Sequence, residues 1–467
     1  FAQEKMIKDF SNITAEEGKQ KEIKTVSTPI VDEISIYDIR TKSQRKIILF
    51  WASFTAIILP FSNTLYLPAI HTIAEDLKTS DKLVTLMASI SLLFRGISSP
   101  IWGVISDRYG RNLTIRTGLG LFIIFSIVCG CAPNITVLLI FRALQSIAAS
   151  VTMVVGQSVI ADIYPPDKRG WATGIFLVPA LFGVVLGPIT GGVLSYFCGW
   201  RSTFVFLAIL STFILVVYML IIPETHQYKV LVKHLEKKII ESKDISEPKL
   251  NKPWLPLIYL TDLTILPYMV CTTVLLACMI INETLLAILL AKRPYFFNEL
   301  KIGISLIPTS VATVIGSLLG GALCDKANHY YTNNVPEGRL VPGIISLVLI
   351  PFGLVIFGWG LYFRLSVIVP VLGSTLVAFG QTVFRPAVYS YLTVIRQQHA
   401  GTITAANYFL NYFITGISLS VAVSIYQAIC IGVFFTILSG ISITAIIPVC
   451  VSTITRITSY NKNYQPI

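Results

Sequence analysis

The sequence predicts an all-α integral membrane protein with twelve transmembrane helices, arranged as two six-helix bundles with both termini in the cytoplasm. The first observation is composition: 54% of the 467 residues are apolar and only 13% are charged. A soluble chain of this size carries about a quarter charged residues. The second observation is that the apolar residues form long blocks, and about 20 such residues cross a bilayer. Together they exclude a soluble enzyme, a secreted disulfide scaffold and a coiled coil.

The apolar blocks fall into two groups of six, separated by a charged stretch. The sequence Gly103-x-x-x-Asp107-Arg108 follows the second block of the first group, and Gly321-x-x-x-Asp325-Lys326 follows the second block of the other group. A motif repeated at the same place in each group indicates a duplicated six-helix unit, as in many transporters. We therefore predict a disordered cytoplasmic tail (1–46), a first bundle (47–222), a cytoplasmic central loop (223–263), a second bundle (264–453) and a cytoplasmic tail (454–467).

The positive charge of the chain is best interpreted as membrane topology. A formal charge of +12 and a pI near 9.2 would favour nucleic-acid binding in a soluble protein. With the N-terminus inside, however, the segments on the cytoplasmic side hold roughly four times as many Lys and Arg residues as those outside. We expect the lipid bilayer as partner and no nucleic acid. The plasma membrane is the expected location, with the vacuole or another internal membrane as the alternative.

The eight cysteines lie almost all in apolar runs and include no CxxC pair, so we interpret them as small apolar residues. The five histidines lie at block ends or in loops, without HxxxD or GxSxG contexts. We therefore expect no metal, no cofactor and no enzymatic activity.

The loop GVISDRYGR after the second block is the most specific motif in the chain. Gly103 would allow close helix approach. Asp107 could cap a helix N-terminus or pair with a cation. Arg108 and Arg111, on either side of Gly110, could contact lipid headgroups or the other bundle. We predict that these residues form a gate between the two bundles.

This loop resembles motif A of the major facilitator superfamily, except that Asn112 replaces the last basic residue. LLIFRALQS, around Arg142, resembles motif B of that family, and GVVLGPITGG resembles motif C, which is associated with drug:proton antiporters. DIYPPDKRG, GWRSTF and PET are similar to segments of fungal twelve-span antiporters of the quinidine and multidrug-resistance type. The resemblance implies export in exchange for protons. It also implies a hinge formed by the motif C residues Gly183, Gly187, Pro188, Gly191 and Gly192.

Each of these motifs has a plainer interpretation. Arg142 inside a span could serve a proton relay, as motif B implies, or it could be a structural cation bonded to backbone carbonyls. Gln145 shares its helical face at i+3. The motif C glycines could simply be a close-packing face.

Glu283 is the only carboxylate well inside a predicted span. It could load and release the coupled proton, so we place it with Arg142 in the relay. Alternatively, it could be the permanent partner of Arg95, Arg142 or Arg385. The first span holds Ser62, Asn63 and Thr64 where some antiporters carry an acid.

The remaining polar groups inside spans predict a substrate cavity. Its candidate residues are Asn63, Tyr66, Arg95, Gln145, Gln381, Arg385, Tyr389, Asn407 and Asn411. Three buried arginines against one buried carboxylate would favour anionic or zwitterionic cargo if the arginines are unpaired.

The sequence therefore predicts a monomeric, proton-coupled antiporter that exports small organic molecules, such as drugs, organic cations or acids, and metabolites, by alternating access. A facilitator or importer of a small metabolite on the same fold is the alternative.

Overall fold

The computed structural model describes residues 40–227, 229–230, 258–330, 336–395 and 400–463. Most of the predicted N-terminal tail and central loop, and the end of the C-terminal tail, lie outside these ranges. Contacts divide the chain into two units, residues 1–45 and residues 46–467.

The first helix begins at Lys42, inside the segment that the sequence predicts as a disordered tail. The backbone N–H of Thr41 donates to Oε1 of Gln44 at 3.1 Å, and the N–H of Gln44 donates to Oγ1 of Thr41 at 3.3 Å. This reciprocal pair is a capping box, which satisfies two N–H groups that would otherwise lack a helical partner. It accounts for a helix that starts earlier than the apolar block.

Within the described ranges, twelve helical spans are long and apolar enough to cross a membrane, which confirms the predicted class. We number them span 1 to span 12 in chain order. Nine are continuous helices. Spans 2 to 7 are Asp81–Tyr109, Arg111–Gly130, Ile135–Ile163, Pro166–Cys198, Arg201–Ile221 and Leu266–Ala291, and spans 10 to 12 are Ile368–Ile395, Ala400–Ile425 and Ile431–Asn463.

The other three spans are built from shorter helical pieces. Span 1 consists of Lys42–Thr55, Ile58–Thr64, the 3-10 turn Leu67–Ala69 and Ile70–Asp76. Span 8 consists of Glu299–Ser305 and Ile307–Tyr330, and span 9 of the 3-10 turn Pro336–Leu340 followed by Val341–Leu347 and Leu349–Tyr362. A further 3-10 turn, Tyr259–Thr261, precedes span 7.

Two prolines explain the breaks in span 1. A proline inside a helix has no N–H and its ring clashes with the carbonyl four residues earlier. Pro60 therefore disrupts the helix at Ala56, where the first piece has ended, and Pro68 disrupts it at Thr64, where the second piece ends. Span 1 is therefore an interrupted helix.

Side-chain caps and two glycines fix several other helix ends. The side chains of Ser80, Asn134 and Asn298 accept the N–H three residues later and so start spans 2, 4 and 8. Gly110 and Gly199 have φ of +96° and +77°, a backbone conformation that side-chain-bearing residues rarely adopt. Each lets one span end and the next begin within one or two residues.

Each span runs between two ends of the helix assembly. We call the end that holds residues 107–111 the loop end, and the opposite end the far end. One apolar cluster stays within spans 1 to 6, the first half. The other fills spans 7 to 12, the second half, and continues at the far end into the first half, around Ile73, Met87 and Leu138. Spans 2 and 11, 5 and 8, and 1 and 7 pack across the halves. The division into two bundles at 223–263 stays a prediction.

Candidate functional site

Arg142 of span 4 is fully buried. Its guanidinium donates to the backbone oxygen of Ser62 in span 1 and, at 2.5 Å, to Oε1 of Gln145. The ring of Tyr66 lies 4.5 Å from its Cζ, and Gln145 in turn donates to Ser126 of span 3 at 2.7 Å. These contacts join three spans around one cation, as expected for a structural role. A role for Arg142 in a proton relay stays a prediction.

Arg95 of span 2 connects the two halves. Its side chain, 3% exposed, donates to Oδ1 of Asn63 in span 1. Its Cζ lies 5.1 Å from the ring centre of Tyr412 in span 11, close enough for a cation–π interaction. A cation of the first half is therefore stabilised by an aromatic ring of the second.

Arg385 of span 10 lies against tyrosines. Its Cζ is 5.7 Å from the ring centre of Tyr389, and its guanidinium interacts electrostatically with the hydroxyls of Tyr389 and Tyr408. The hydroxyl of Tyr408 also interacts with the side chain of Gln157 in span 4. Arg385 is thus surrounded by tyrosines of the second half, and Gln157 of the first half lies next to one of them.

None of these three arginines forms an ion pair with a carboxylate of the described residues. Glu283 has neither a hydrogen bond nor an ion pair with any residue that the structure describes, so the interpretation of Glu283 as their permanent partner is wrong. A charged side chain at mid-membrane costs about 2.5–3.5 kcal/mol on insertion scales. Among the described residues, the spans therefore hold three arginines without a carboxylate partner and one acid, Glu283, that does not pair with them.

Several predicted cavity residues are engaged in bonds between helices. Oδ1 of Asn411 accepts from Thr273 at 2.7 Å, and its amide donates to the hydroxyl of Tyr389 at 3.3 Å. Oδ1 of Asn407 accepts from Thr272 at 3.4 Å. These amides connect span 11 to spans 7 and 10. Their hydrogen bonds are therefore made to neighbouring helices, and they position the walls of the site. Gln381, buried one turn before Arg385, has no described partner for its Oε1.

At the loop end, Arg111 is buried and makes its contacts within the first half. Its Nε donates to Asp162 of span 4 at 2.9 Å, and a terminal nitrogen donates to Ser106 at 2.7 Å and to Asp107. The expectation that Arg111 contacts headgroups or the other half is wrong for this conformation. Arg108 is exposed and stacks on the ring of Tyr109 at 5.5 Å.

Glu224, after span 6, forms a cradle at the start of span 3. Its carboxylate accepts the N–H groups of Arg111 at 2.9 Å and Asn112 at 3.3 Å, and those of Thr225 and His226 at 2.9 Å. The first N–H groups of a helix lack helical partners and carry partial positive charge, so a carboxylate there is stabilising. The side chain of Asn112, which departs from motif A, donates to the backbone oxygen of Ile222.

His226 sits beside this charged cluster. Burial lowers the pKa of the imidazole, and the positive charge of Arg111 lowers it further, while the carboxylate of Asp162 acts in the opposite direction. A buried neutral imidazole at this position adds no second positive charge next to Arg111.

The far end is closed by contacts between the halves. Nζ of Lys292, after span 7, lies 2.5 Å from Oδ2 of Asp81 in span 2, and Oδ1 of Asp81 lies 3.1 Å from Nδ1 of His71. Burial acts to lower the pKa of Lys292, but the hydrogen bond with Asp81 and the charges of Tyr426 and Asp81 together outweigh it, so that the pKa is raised. Thr72 of span 1 donates to Glu299 of span 8. Among the residues searched, no group of three or more His, Cys, Asp or Glu could hold a metal ion.

The motif C glycines pack in two directions. A Cβ on Gly183 would lie 2.9 Å from Cγ of Pro60, and one on Gly187 or Gly191 would overlap Thr64 or the backbone oxygen of Leu65. These three glycines face span 1 of the same half. Gly192 instead faces span 8, where a Cβ would lie 2.8 Å from the backbone oxygen of Glu299. In this conformation the segment is a close-packed face, and its action as a hinge stays a prediction.

Gly103, by contrast, has open space around it. A Cβ there would meet no atom within 4 Å, so the close helix approach expected at this position is absent from this conformation. The far end is closed, whereas this position at the loop end is not packed.

Sequence reasoning missed several residues of these clusters. They are Thr72, Asp81, Asp162, Glu224, His226, Lys292, Glu299 and Tyr412. Most lie at span ends, where a charged residue is ordinarily assigned to solvent. Asp162 and Glu224 lie in the segments DIYPPDKRG and PET, which resemble segments of known antiporters. That resemblance does not indicate which residues Asp162 and Glu224 contact.

Twelve apolar spans with polar groups buried between two halves are typical of membrane transporters. The model of the Major Facilitator Superfamily matches residues 52–420, and the chain belongs to this family of secondary transporters.

Curated relatives and a solved structure extend this result. The chain is 24% identical to the MFS antiporter QDR3 of Candida albicans, over 85% of this chain and 75% of that protein. It is 25% identical to the efflux pump radE of Floropilus chiversii, over 81% of this chain and 74% of that protein. A crystal structure of a POT family transporter in complex with 5-aminolevulinic acid superposes with a TM-score of 0.69, over 87% of this chain and 96% of that one, at 14% identity. The latter shows the fold alone.

Proposed function

We propose that this protein is a proton-coupled antiporter of the fungal drug:proton type, which exports small organic molecules by alternating access. The observation that carries the proposal is the isolation of Glu283 inside span 7, without a described hydrogen bond or ion pair. A carboxyl group in such a place can exchange a proton without breaking a permanent pair. The similarity to an antiporter and an efflux pump supports the direction of transport.

The contacts at the two ends support a conformation open at the loop end. The far end is closed by the pair of Lys292 and Asp81 and by the approach of Gly192 to span 8. At the loop end, the described partners of Arg111 and Glu224 all belong to the first half. With the loop end in the cytoplasm, as the positive charges favour, this conformation would face inward. Motif A would then latch the halves only when the cavity faces outward.

The energetics of this cycle are sufficient with one proton. A tenfold proton gradient supplies about 1.4 kcal/mol, and a potential of about 100 mV adds about 2.3 kcal/mol. One proton per cycle could therefore maintain a concentration ratio of several hundredfold. We propose the plasma membrane as the location, because this gradient is available there, and a vacuolar or other internal membrane as the alternative.

The test is transport in vesicles of purified protein against a panel of labelled anionic, neutral and cationic compounds, with and without a pH gradient. We expect transport driven by the gradient and abolished by a protonophore. Asp107→Asn and Arg142→Ala should abolish it while the protein still reaches the membrane. Transport that is insensitive to the protonophore would instead establish a facilitator, and wild-type transport by either variant would remove the role given to that residue.

A further inference from the structure

Three tyrosines form a continuous row between two arginines of opposite halves. Tyr389 of span 10 lies 5.7 Å from Tyr408 of span 11, measured between ring centres, and Tyr408 lies 5.9 Å from Tyr412 with the two rings nearly parallel at 15°. Arg385 lies at the Tyr389 end, at 5.7 Å, and Arg95 at the Tyr412 end, at 5.1 Å. We call these five side chains the tyrosine row.

Part of this row is accessible from within the protein. Arg385, Tyr389 and Tyr408 lie deep in the interior of the helix assembly, yet each, like Tyr412, keeps a fraction of its surface exposed. Side chains that are far from the outer surface and still partly accessible line an internal crevice. Arg95, at 3% exposure, is buried at the Tyr412 end of the row.

The row contacts both halves. Tyr412 contacts Arg95 of span 2, and Tyr408 interacts with Gln157 of span 4, whereas the tyrosines themselves belong to spans 10 and 11. A ligand on the row would therefore touch elements that move relative to each other in alternating access. This is where a transported molecule has to bind if its binding is to affect the change of state.

The charge of the row is not neutralised by the described part of the chain. No carboxylate there pairs with Arg385 or Arg95, and the partners of both are tyrosine hydroxyls or rings and the amide of Asn63. A guanidinium presents a planar fork of donors that matches a carboxylate in two parallel hydrogen bonds. The neutral tyrosine hydroxyls leave most of these guanidinium donors free to bind a carboxylate. An organic cation would be repelled by both arginines.

We propose that the tyrosine row is the binding site for an aromatic carboxylate, with the carboxylate on Arg385 and the aromatic ring against Tyr408 and its neighbours. This inference names the cargo and rests on the proposed function for the statement that the cargo is exported. Aromatic rings prefer offset-stacked or edge-to-face contacts at centroid distances of about 4.5–7 Å, which three adjacent tyrosines can offer to a flat ligand. Glu283 makes no described contact with Arg385 or Arg95, so the proton and the carboxylate would have different sites.

The experiment measures direct binding to the purified full-length protein with a matched set of probes. Indole-3-acetate, indole-3-acetamide and tryptamine carry the same ring with a negative, neutral and positive side chain, and cyclohexylacetate keeps the carboxylate without the aromatic ring. We expect indole-3-acetate to bind at least tenfold more tightly than the other three.

Variants separate the two recognition elements. Arg385→Gln should weaken binding of indole-3-acetate by about tenfold to a hundredfold and remove its advantage over the amide, since a charged hydrogen bond is lost. Arg385→Lys should keep a smaller preference for the anion. Tyr408→Leu should remove the preference for indole-3-acetate over cyclohexylacetate, whereas Tyr408→Phe, which keeps the ring, should retain it. Arg364→Gln removes an exposed arginine at the far end and serves as the matched control.

The outcomes are decisive in both directions. Tighter binding of tryptamine, equal binding of acid and amide, or no saturable binding of indole-3-acetate by folded protein would overturn the proposal. The proposal would also be overturned by an Arg385→Gln variant that unfolds at the same temperature as wild type and binds indole-3-acetate with the same affinity. If indole-3-acetate binds as expected but a pH gradient drives no transport, the proposed function fails and the binding site stands. If the gradient drives export of cations only, the proposed function stands and the tyrosine row is not the binding site of the cargo.

Discussion

Lys292 and Asp81 form an ion pair of 2.5 Å between the end of span 7 and the start of span 2. It connects the two halves at the far end, whereas the pair of Arg201 with Asp76, also 2.5 Å, stays within the first half. Both aspartates lie at the same end, so they form a natural comparison.

Asp81→Asn should therefore favour opening of the far end. A partly exposed ion pair contributes up to about 1 kcal/mol, which corresponds to about a fivefold change in the ratio of closed to open molecules. In a variant that lacks the exposed Cys131, Cys198 and Cys430, distances between spin labels on cysteines introduced at Lys78 and Phe296 should shift to longer values. Asp76→Asn is the control and should leave the distribution unchanged; equal shifts in both variants would contradict a role of the pair between halves.

Glu283→Gln should separate proton coupling from substrate movement. The amide keeps the size of the side chain but cannot take up a proton, so transport driven by a pH gradient should fall at least tenfold. Exchange of labelled for unlabelled substrate without a gradient should persist. Glu75→Gln, on an exposed carboxylate, is the control. Gradient-driven transport at the wild-type rate in Glu283→Gln would show that another group carries the proton.

Glu224→Ala should destabilise the loop end. The variant removes the acceptor of four backbone N–H groups, two of them at the start of span 3. Loss of a helix cap typically costs about 0.5–2 kcal/mol. Thermal unfolding in detergent should show a lower midpoint than wild type, and Glu75→Ala should not. An unchanged midpoint for Glu224→Ala would mean that water replaces the cradle without cost.

Gly103→Val tests whether the loop end closes during transport. Gly103 and Gly120 both have open space in this conformation, so valine at either position should be accommodated without loss of stability, since valine has a higher helix propensity than glycine. If the halves meet at motif A in the other state, valine at 103 should reduce transport strongly while valine at 120 does not. Similar transport by both variants would argue against closure at this position.

Thiol labelling can test the orientation. Cys131, Cys198 and Cys430 are exposed and all lie at the far end. A maleimide that does not cross membranes should label them from outside intact cells if the loop end is cytoplasmic. A variant lacking these three cysteines measures the background. Labelling that requires permeabilised cells would reverse the orientation or indicate an internal membrane.

The sequence was sufficient for the class of fold because blocks of about 20 apolar residues have few alternatives in a bilayer. It was also sufficient to find Arg95, Arg142, Arg385 and Glu283, since each is a charged residue inside an apolar block. Their pairing could not be predicted, because it depends on which helix faces which. Glu283 and the arginines looked complementary in composition and are not paired in space.

The tyrosine row shows the same limit more sharply. Tyr408 and Tyr412 are one helical turn apart, which predicts a shared face. Nothing in the spacing indicates that this face meets Tyr389 of span 10 and Arg95 of span 2. The capping box of Thr41 and Gln44, by contrast, is a local pattern, and the sequence contained all that was needed to predict the early start of span 1.

The fit of Gly183, Gly187 and Gly191 against Pro60, Thr64 and Leu65 has a practical consequence for hybrid transporters. The span 5 surface leaves no room for an extra methyl group at these positions, so it is shaped for span 1. A chimaera that takes span 5 from a relative with larger residues at these positions would have to take span 1 from the same relative. Spans 1 and 5, although distant in sequence, have to be exchanged together.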